Sequence, residues 1–186
     1  MDLVETPLPL RESDRYSTPA EIVDLVIEQW GGIDLDPCSD PDALVPATTR
    51  YDIRRGEDGL TLPWPAGARV WLNPPYSRGN LHRWIARAVA HAQAGGQVLA
   101  LVNVQTDALY WRHKIWPTVA AVCFLSPRVY FRKAGAAKAT QHDRPSCLCY
   151  FGEDLGGFTQ VWSRRGTVCA ALALQGSHGT DQRIKN

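Results

Sequence analysis

Apolar residues recur at helical spacing in two segments of the chain. The segments cover residues 19–30 and 81–92, and a pair of glycines follows each of them. Before the first, Thr18 is predicted to be the N-cap, with Pro19 in the first helical position and Glu21 completing a capping box. The pattern therefore predicts two amphipathic helices, each with one face in the core.

Apolar runs of strand length alternate with these helices. They cover residues 33–36, 69–73, 98–104, 119–125, 127–131, 147–151 and 167–174. Shorter helical segments are predicted at 108–115 and 158–163, and loops at 39–65 and 132–145. Because strands and helices alternate as far as residue 125, we expect an α/β fold with a mostly parallel sheet, and antiparallel pairing at one edge from the strand-rich remainder.

The chain length of 186 residues is that of one domain. We predict a single domain over residues 15–175, with a flexible arm at 1–14 and a flexible tail at 176–186. No apolar run reaches the ~18–20 residues that a membrane span needs, and no signal-peptide pattern opens the chain. The five cysteines give no disulfide framework, which favours buried thiols and a cytoplasmic location.

The net charge of +1 hides an uneven distribution of charge along the chain. Residues 1–60 hold 14 acidic and 5 basic residues, a balance of −9, whereas residues 61–186 hold 5 acidic and 15 basic residues, a balance of +10. The neutral total excludes a bulk polycation such as a histone-like DNA binder. It leaves open an acidic face and a basic face on one domain.

The most informative segment is Asn73-Pro74-Pro75-Tyr76, at the end of a predicted strand. Each proline lacks an N–H and has a fixed φ, so the chain leaves the strand stiffly and its carbonyls have no helical donors nearby. The side-chain oxygen of Asn73 beside such a carbonyl offers two acceptors, which suit the two hydrogens of an exocyclic amino group. The ring of Tyr76 could stack on the planar base that carries this amine. A plain proline turn that closes the strand is the alternative.

This segment resembles the catalytic motif D/N/S-P-P-Y/F of amino-group DNA methyltransferases. Other segments, in the same order along the chain, resemble the phage-type Dam family of DNA adenine-N6 methyltransferases. These segments are residues 16–19, 34–38, 58–60 with Trp64, 126–131 and 146–151. The resemblance implies a Rossmann-like fold and methyl transfer from S-adenosylmethionine to adenine N6 in double-stranded DNA.

The resemblance also implies how the motif acts. The target adenine is flipped out of the duplex, Tyr76 stacks on it, and Asn73 and the Pro74 carbonyl accept its N6 hydrogens. The nitrogen then attacks the sulfonium methyl directly, with no covalent enzyme intermediate and no metal. The five histidines share no metal-ligand spacing.

For the cofactor, the resemblance implies a site built from the segment before the first helix and from two later loops. Its residues are Tyr16, Thr18, Pro19, Asp36, Pro37, Cys38 and Asp58. The first three would border the methionine moiety, while Asp36 would accept from the ammonium or hydroxyl groups and Asp58 from the adenine amine. The alternatives are a turn cap for Asp36, a plain turn at Asp58, a helix cap for Thr18 and a packing role for Tyr16.

For DNA, the basic stretch at residues 128–144 is the best candidate, together with one arginine beside the motif. The predicted phosphate-binding residues are Arg78, Arg128, Arg132, Lys133, Lys138 and Arg144. A solvated surface loop is the alternative.

Three other functions remain open at this stage. Cytosine-N4 methylation usually has Ser at the first motif position, which Asn73 argues against. The same motif also serves RNA and protein amide methylation. A non-catalytic nucleic-acid-binding module could keep the fold without the reaction, although its intact motif argues against this.

Overall fold

The computed structural model describes residues 16–39, 45–76, 80–133, 139–141 and 144–171. The predicted arm at 1–14 and tail at 176–186 lie outside the described residues. Within them the chain forms ten strands and three α-helices. In chain order these are β1 Tyr16–Ser17, α1 Ala20–Trp30, β2 Ile33–Asp36, β3 Ala47–Arg50, β4 Arg69–Leu72, α2 Leu81–Gln93, β5 Gln97–Asn103, β6 Ala121–Leu125, β7 Tyr130–Lys133, β8 Ala139–Gln141, β9 Ser146–Phe151, α3 Leu155–Trp162 and β10 Gly166–Ala170.

Seven of the strands form the central sheet, in the order β10-β6-β9-β5-β4-β2-β3. The pairs β2–β3, β2–β4 and β4–β5 are parallel. Strand β9 is antiparallel to both β5 and β6, so those two strands run in the same direction, and β10 is antiparallel to β6. Five of the seven strands therefore share one direction, which confirms the predicted α/β fold with a mostly parallel sheet. One reversed strand, β10, is at the edge as expected, but the other, β9, lies inside the sheet.

The alternating side chains of β5 explain its continuous apolar run. Val98, Ala100 and Val102 pack in one core layer with α2 and the π-helical turn Trp111–Ile115. Leu99 and Leu101 pack in the other layer with α1 and α3. Because both faces of this central strand are covered, the residues on each face are apolar and the run is continuous.

A smaller antiparallel sheet pairs β1 with the later strands β7 and β8, in the order β1-β7-β8. Strand β7 begins three residues later than the strand predicted at 127–131, and β8 lies within the predicted loop 132–145. The predicted loop 39–65 is wrong in a similar way, since it contains β3 and a 3-10 turn at Ile53–Arg55.

The predicted cap of the first helix is also wrong. The residue at the N-cap position of α1 is Pro19, and no side chain caps this end. The Pro19 carbonyl accepts hydrogen bonds from the backbone N–H groups of Ile22 and Val23. Thr18 is buried instead, with its side chain turned to other partners.

Candidate active site

The carboxyl ends of β2 and β4 meet at one edge of the central sheet. The two strands are parallel neighbours with Leu35 opposite Val70. Asp36 is the last residue of β2, and Asn73 directly follows β4. An open α/β sheet binds its ligands at this edge, so the topology brings the predicted cofactor and target-base residues to the place where such sites lie.

The amide of Asn73 is held from behind by Thr18. Its Nδ2 atom donates to the Thr18 Oγ1 atom at 3.3 Å. The same oxygen accepts from the indole Nε1 of Trp71, also at 3.3 Å. Thr18 and Trp71 are almost fully buried, whereas Asn73 is partly exposed. Asn73, the partly exposed first residue of the motif, is thus hydrogen-bonded to a buried threonine that also contacts a buried tryptophan.

Tyr76 is tied to the neighbouring strand by its hydroxyl. The pairing of β4 with β5 ends at Leu72 and Ala100, and the next carbonyl of β5, that of Leu101, accepts from Tyr76 Oη at 2.8 Å. The same Oη lies 3.4 Å from Asn73 Oδ1. Burial raises the pKa of the Tyr76 phenol well above its usual range, so the hydroxyl remains a donor at physiological pH.

Asp36 is a buried carboxylate at the head of a tight turn. Its Oδ1 accepts from the backbone N–H of Cys38 at 3.1 Å, so it does cap the turn. Burial raises the pKa of Asp36 to about 7, although the Cys38 N–H and the charge of Arg50 act in the opposite direction. A carboxyl group that loses its solvation in this way has much to gain from a donor or cation that binds beside it.

The loop that carries Asp58 packs directly on the Asp36 turn. Asp58 Oδ1 accepts from Leu60 N at 2.9 Å, which makes a turn of its own. Gly59 lies so close to the Asp36 turn that an added Cβ would be 2.0 Å from the Pro37 carbonyl oxygen. Burial, followed by the charges of Asp36 and Asp58, raises the pKa of the Cys38 thiol. The structure therefore brings together four of the predicted cofactor residues.

Two side chains hold this loop against α2, and one of them, Arg87, belongs to no motif of the sequence. Arg87 Nη1 donates to the Leu60 carbonyl at 2.5 Å, and its Nη2 donates to the Leu62 carbonyl. The guanidinium also lies 5.1 Å from the ring centre of Trp64, whose Nε1 donates to the Gly59 carbonyl at 3.0 Å. We name this arrangement of Arg87 and Trp64 the loop clamp.

Two of the six predicted DNA-binding residues, Arg132 and Lys133, lie opposite the first strand. In β1 and β7, Tyr16 is opposite Lys133 and Ser17 is opposite Arg132. Arg128, Arg132 and Arg144 are exposed. Arg78 and Lys138 lie outside the described residues. Because Thr18 follows β1 directly and contacts Asn73, the pairing brings the basic strand β7 close to the motif.

Two general features of the described residues bear on function. Among them, no group of three or more His, Cys, Asp and Glu side chains is placed to hold a metal ion. None of the helices found in that part of the chain is both long and apolar enough to cross a membrane.

One comparison with known proteins finds a family that the chain resembles. A family model described as DNA N-6-adenine-methyltransferase (Dam) matches residues 5–168. The matched segment contains the motif, the Asp36 turn, the Asp58 loop and the central sheet except for the last two residues of β10. A search of the curated proteins finds no match.

Proposed function

The chain belongs to the Dam family of DNA N-6-adenine-methyltransferases, and from this premise we propose the details of its reaction. It transfers the methyl group of S-adenosylmethionine to N6 of an adenine in double-stranded DNA. The adenine is flipped out of the duplex, at a cost of a few kcal/mol. Its amino nitrogen attacks the methyl group directly as the bond from that methyl group to the sulfonium sulfur breaks, and the nitrogen then releases one of its hydrogens to water as a proton. We place the reaction in the cytoplasm, that of the host if the protein is phage- or prophage-encoded.

We assign the target base to the 73–76 motif. Asn73 Oδ1 and the Pro74 carbonyl accept the two N6 hydrogens, and the ring of Tyr76 stacks on the base. Pro75 keeps the chain between them stiff. The hydrogen bond from Tyr76 Oη to Leu101 supports this assignment, because it fixes one edge of the ring to the sheet. Holding the nucleophile in line with the methyl group supplies the larger part of the rate enhancement.

The residues at the Asp36 turn fit the proposed cofactor. S-adenosylmethionine carries an ammonium group, ribose hydroxyls and an adenine amine, and it supplies an electrophilic methyl group when bound. Asp36 is buried, and within the described part of the chain its side chain accepts one hydrogen bond, from Cys38. A ligand donor would relieve the desolvation that raises its pKa. We assign Asp36 to the ammonium or hydroxyl groups of the cofactor and Asp58 to its adenine amine. Pro37 and Cys38 are assigned to the surface between these two carboxylates.

We assign the DNA backbone to the basic strand β7 and the residues around it. Arg128, Arg132 and Arg144 are exposed and can reach phosphates, and Lys133 follows Arg132 on the strand. Phosphate contacts of this kind provide affinity without sequence information. The pairing of β1 with β7 supports the assignment for two of them, since it places the backbone positions of Arg132 and Lys133 beside the segment that leads to Thr18 and Asn73.

The observation that carries the proposal is the meeting of Asp36 and Asn73 at the ends of adjacent parallel strands. A transfer assay with tritiated S-adenosylmethionine and duplex DNA tests it. We expect label in N6-methyladenine, and loss of transfer in Asn73→Ala with cofactor binding retained. Absence of transfer by the wild-type protein would contradict the proposal. Label in N4-methylcytosine would show that the target base is wrong.

We further propose that the modification marks phage or prophage DNA against host restriction. This follows from the resemblance of the segments around the motif to the phage-type branch. DNA methylated by the enzyme should survive in a restricting host where unmethylated DNA is cut. Equal survival of both would contradict this role.

A further inference from the structure

We propose that a second basic surface, formed by Arg83, Arg112 and Lys114, binds the DNA backbone on the side of the motif opposite to β7. This inference rests on the proposed function, since it concerns how a duplex is held while one of its adenines reaches the motif. Arg83 lies in the first turn of α2, and the other two residues lie in the π-helical turn Trp111–Ile115. All three residues are exposed, and none belongs to the basic stretch at 128–144.

The connections on this face of the sheet place the second basic surface at the edge that holds the motif. Helix α2 follows the motif and ends before β5, so it runs from the carboxyl edge of the sheet to the amino edge. Residues 104–120 connect β5 to β6, which run in the same direction, so this segment crosses between the same two edges. At the amino edge, Gln93 of α2 and Thr118 line one surface pocket. The beginnings of both segments therefore lie at the motif edge, and the π-helical turn follows directly.

The sheet separates the second basic surface from β7, and the motif lies between them. Trp84 of α2 packs in one core layer with Trp111 and Ile115 of the turn, and Tyr76 packs against this layer too. Phe131 of β7 packs in the other layer. A flipped nucleotide is joined to phosphates on both of its sides, so a duplex over the motif presents backbone to both layers.

The cations of the second basic surface point outward and have no anion beside them. Trp111 and Ile115 are buried and four positions apart, which leaves Arg112 and Lys114 on the outer arc of the turn. Within the part of the chain that the structure describes, the side chains of these two residues and of Arg83 form no ion pair. Between positions 77 and 120 the chain holds five lysines and arginines but one acidic residue, which lies outside α2 and the turn. Solvated surfaces usually mix both signs, so this surface keeps a field that a polyanion can neutralise.

Two large apolar side chains beside these cations indicate a macromolecular partner. Leu109 is 72 % exposed and precedes Arg112 by three helical positions, so both lie on the same side of the segment. Trp116 is 42 % exposed and contacts Trp111, with ring centres 5.1 Å apart. Aromatic and apolar groups next to arginine are typical of binding surfaces rather than of solvated ones. Because this surface continues from the motif, the partner it fits is the duplex that brings the target base.

The test is the salt dependence of DNA binding. A fluorescein-labelled duplex of about 20 base pairs, or two helical turns, is titrated with protein at several salt concentrations, and fluorescence anisotropy gives the dissociation constant. The variants are Arg83→Gln, Arg112→Gln and Lys114→Gln, each of which removes one charge. Arg164→Gln is the matched control, because Arg164 is an exposed arginine that pairs with Glu28 at the end of α1 far from the motif.

We expect each of the three variants to reduce the slope of log affinity against log salt by about 0.9, the share of one phosphate contact. If that contact contributes nothing at about 1 M salt, its loss weakens binding roughly 8-fold at 0.1 M salt. Arg112→Gln combined with Arg132→Gln should reduce the slope by about 1.8, because the two surfaces contact different phosphates. Arg164→Gln should leave it unchanged. An unchanged slope in Arg112→Gln and Lys114→Gln would overturn the proposal, as would an equal loss in Arg164→Gln, which would show that only net charge matters.

A second measurement detects the contact itself and does not depend on turnover. The protein is treated with an amine-reactive acetylating ester with and without the duplex, and peptide mass spectrometry gives the modified fraction of Lys114. Bound duplex should protect Lys114, and equal acetylation in both samples would overturn the proposal. Reduced slopes without methyl transfer by the wild-type protein would contradict the proposed reaction alone. Methyl transfer with unchanged slopes would contradict the second basic surface alone.

Discussion

Replacing Asp36 by asparagine should stabilise the free protein above neutral pH. The folded chain holds the pKa of this carboxyl at about 7, whereas an unfolded chain holds it near ~3.9. At pH values between these two pKa values, the folded state binds a proton that the unfolded state has released. The free energy of unfolding therefore falls as the pH rises from 4 to 7. Three pKa units at about 1.36 kcal/mol each give a cost of roughly 4 kcal/mol, and relaxation around the carboxylate makes this an upper limit.

The assay is urea unfolding of both proteins at pH 4.5, 6, 7 and 8. The stability of Asp36→Asn minus that of wild type should rise across this range, by at most about 4 kcal/mol, and level off above pH 7. Asp34→Asn is the matched control from the same strand. Arg69 hydrogen-bonds both Asp34 oxygens and lowers the pKa of this carboxyl, so removing that charge should destabilise the protein above pH 4. Parallel stability curves for wild type and Asp36→Asn would refute the reasoning.

The same carboxylate should make cofactor binding depend on pH. A ligand ammonium binds the charged form, so the dissociation constant of S-adenosylmethionine should rise up to about 10-fold per pH unit below 7. Calorimetric titration of wild type at pH 6 and 8 measures this, and Asp36→Asn should bind weakly at both. A pH-independent dissociation constant, alongside the expected stability change, would show that Asp36 is buried without contacting the cofactor.

Three further predictions concern the loop clamp, the ring and the basic strand. Arg87→Ala should raise the cofactor dissociation constant about 10-fold with a smaller change in the single-turnover rate, because two loop carbonyls lose their charged donor; equal binding would refute the clamp. Tyr76→Phe should lower the rate about 3-fold to 10-fold by freeing the ring from Leu101, and Tyr76→Ala much further; equal rates for both would contradict a stacking role. Arg132→Ala should reduce the salt dependence of DNA binding by about one phosphate contact, while Arg164→Ala, which loses an ion pair with Glu28, should not.

The elements that the sequence predicted best are those with a continuous or periodic apolar pattern. Strand β5 is apolar throughout because both of its faces are covered, and α2 buries one helical face. Strand β3 is different, since Ala47 to Arg50 alternate between partial and full exposure at the edge of the sheet. An edge strand with polar residues on both faces has no apolar signal, and its pairing with β2 decides its conformation.

The role of Thr18 shows a second limit of local sequence patterns. A threonine before proline, followed by glutamate, satisfies the local rule for a helix cap. In the structure its oxygen is used by Trp71 and Asn73, 53 and 55 residues further along the chain. Likewise, Arg87 binds backbone carbonyls 25 and 27 residues before it. Carbonyl groups carry no residue identity, so no motif could have indicated this partner.

The uneven charge of the chain has a more local meaning than its totals imply. Three of the eight acidic side chains that the structure describes in the first 60 residues form ion pairs, namely Glu28–Arg164, Asp34–Arg69 and Asp52–Arg54. Such pairs cancel at short range and contribute little field at a distance. Under the proposed cofactor assignment, attraction of a cationic ligand depends on Asp36 and Asp58 rather than on the balance of −9. The pairing of β1 with β7 also places the basic residues Arg132 and Lys133 opposite the strand that leads to Thr18. In the proposed reaction, the Asp36 turn and the basic strand β7 would then serve one site, which is what a reaction between a cationic cofactor and a polyanionic substrate requires.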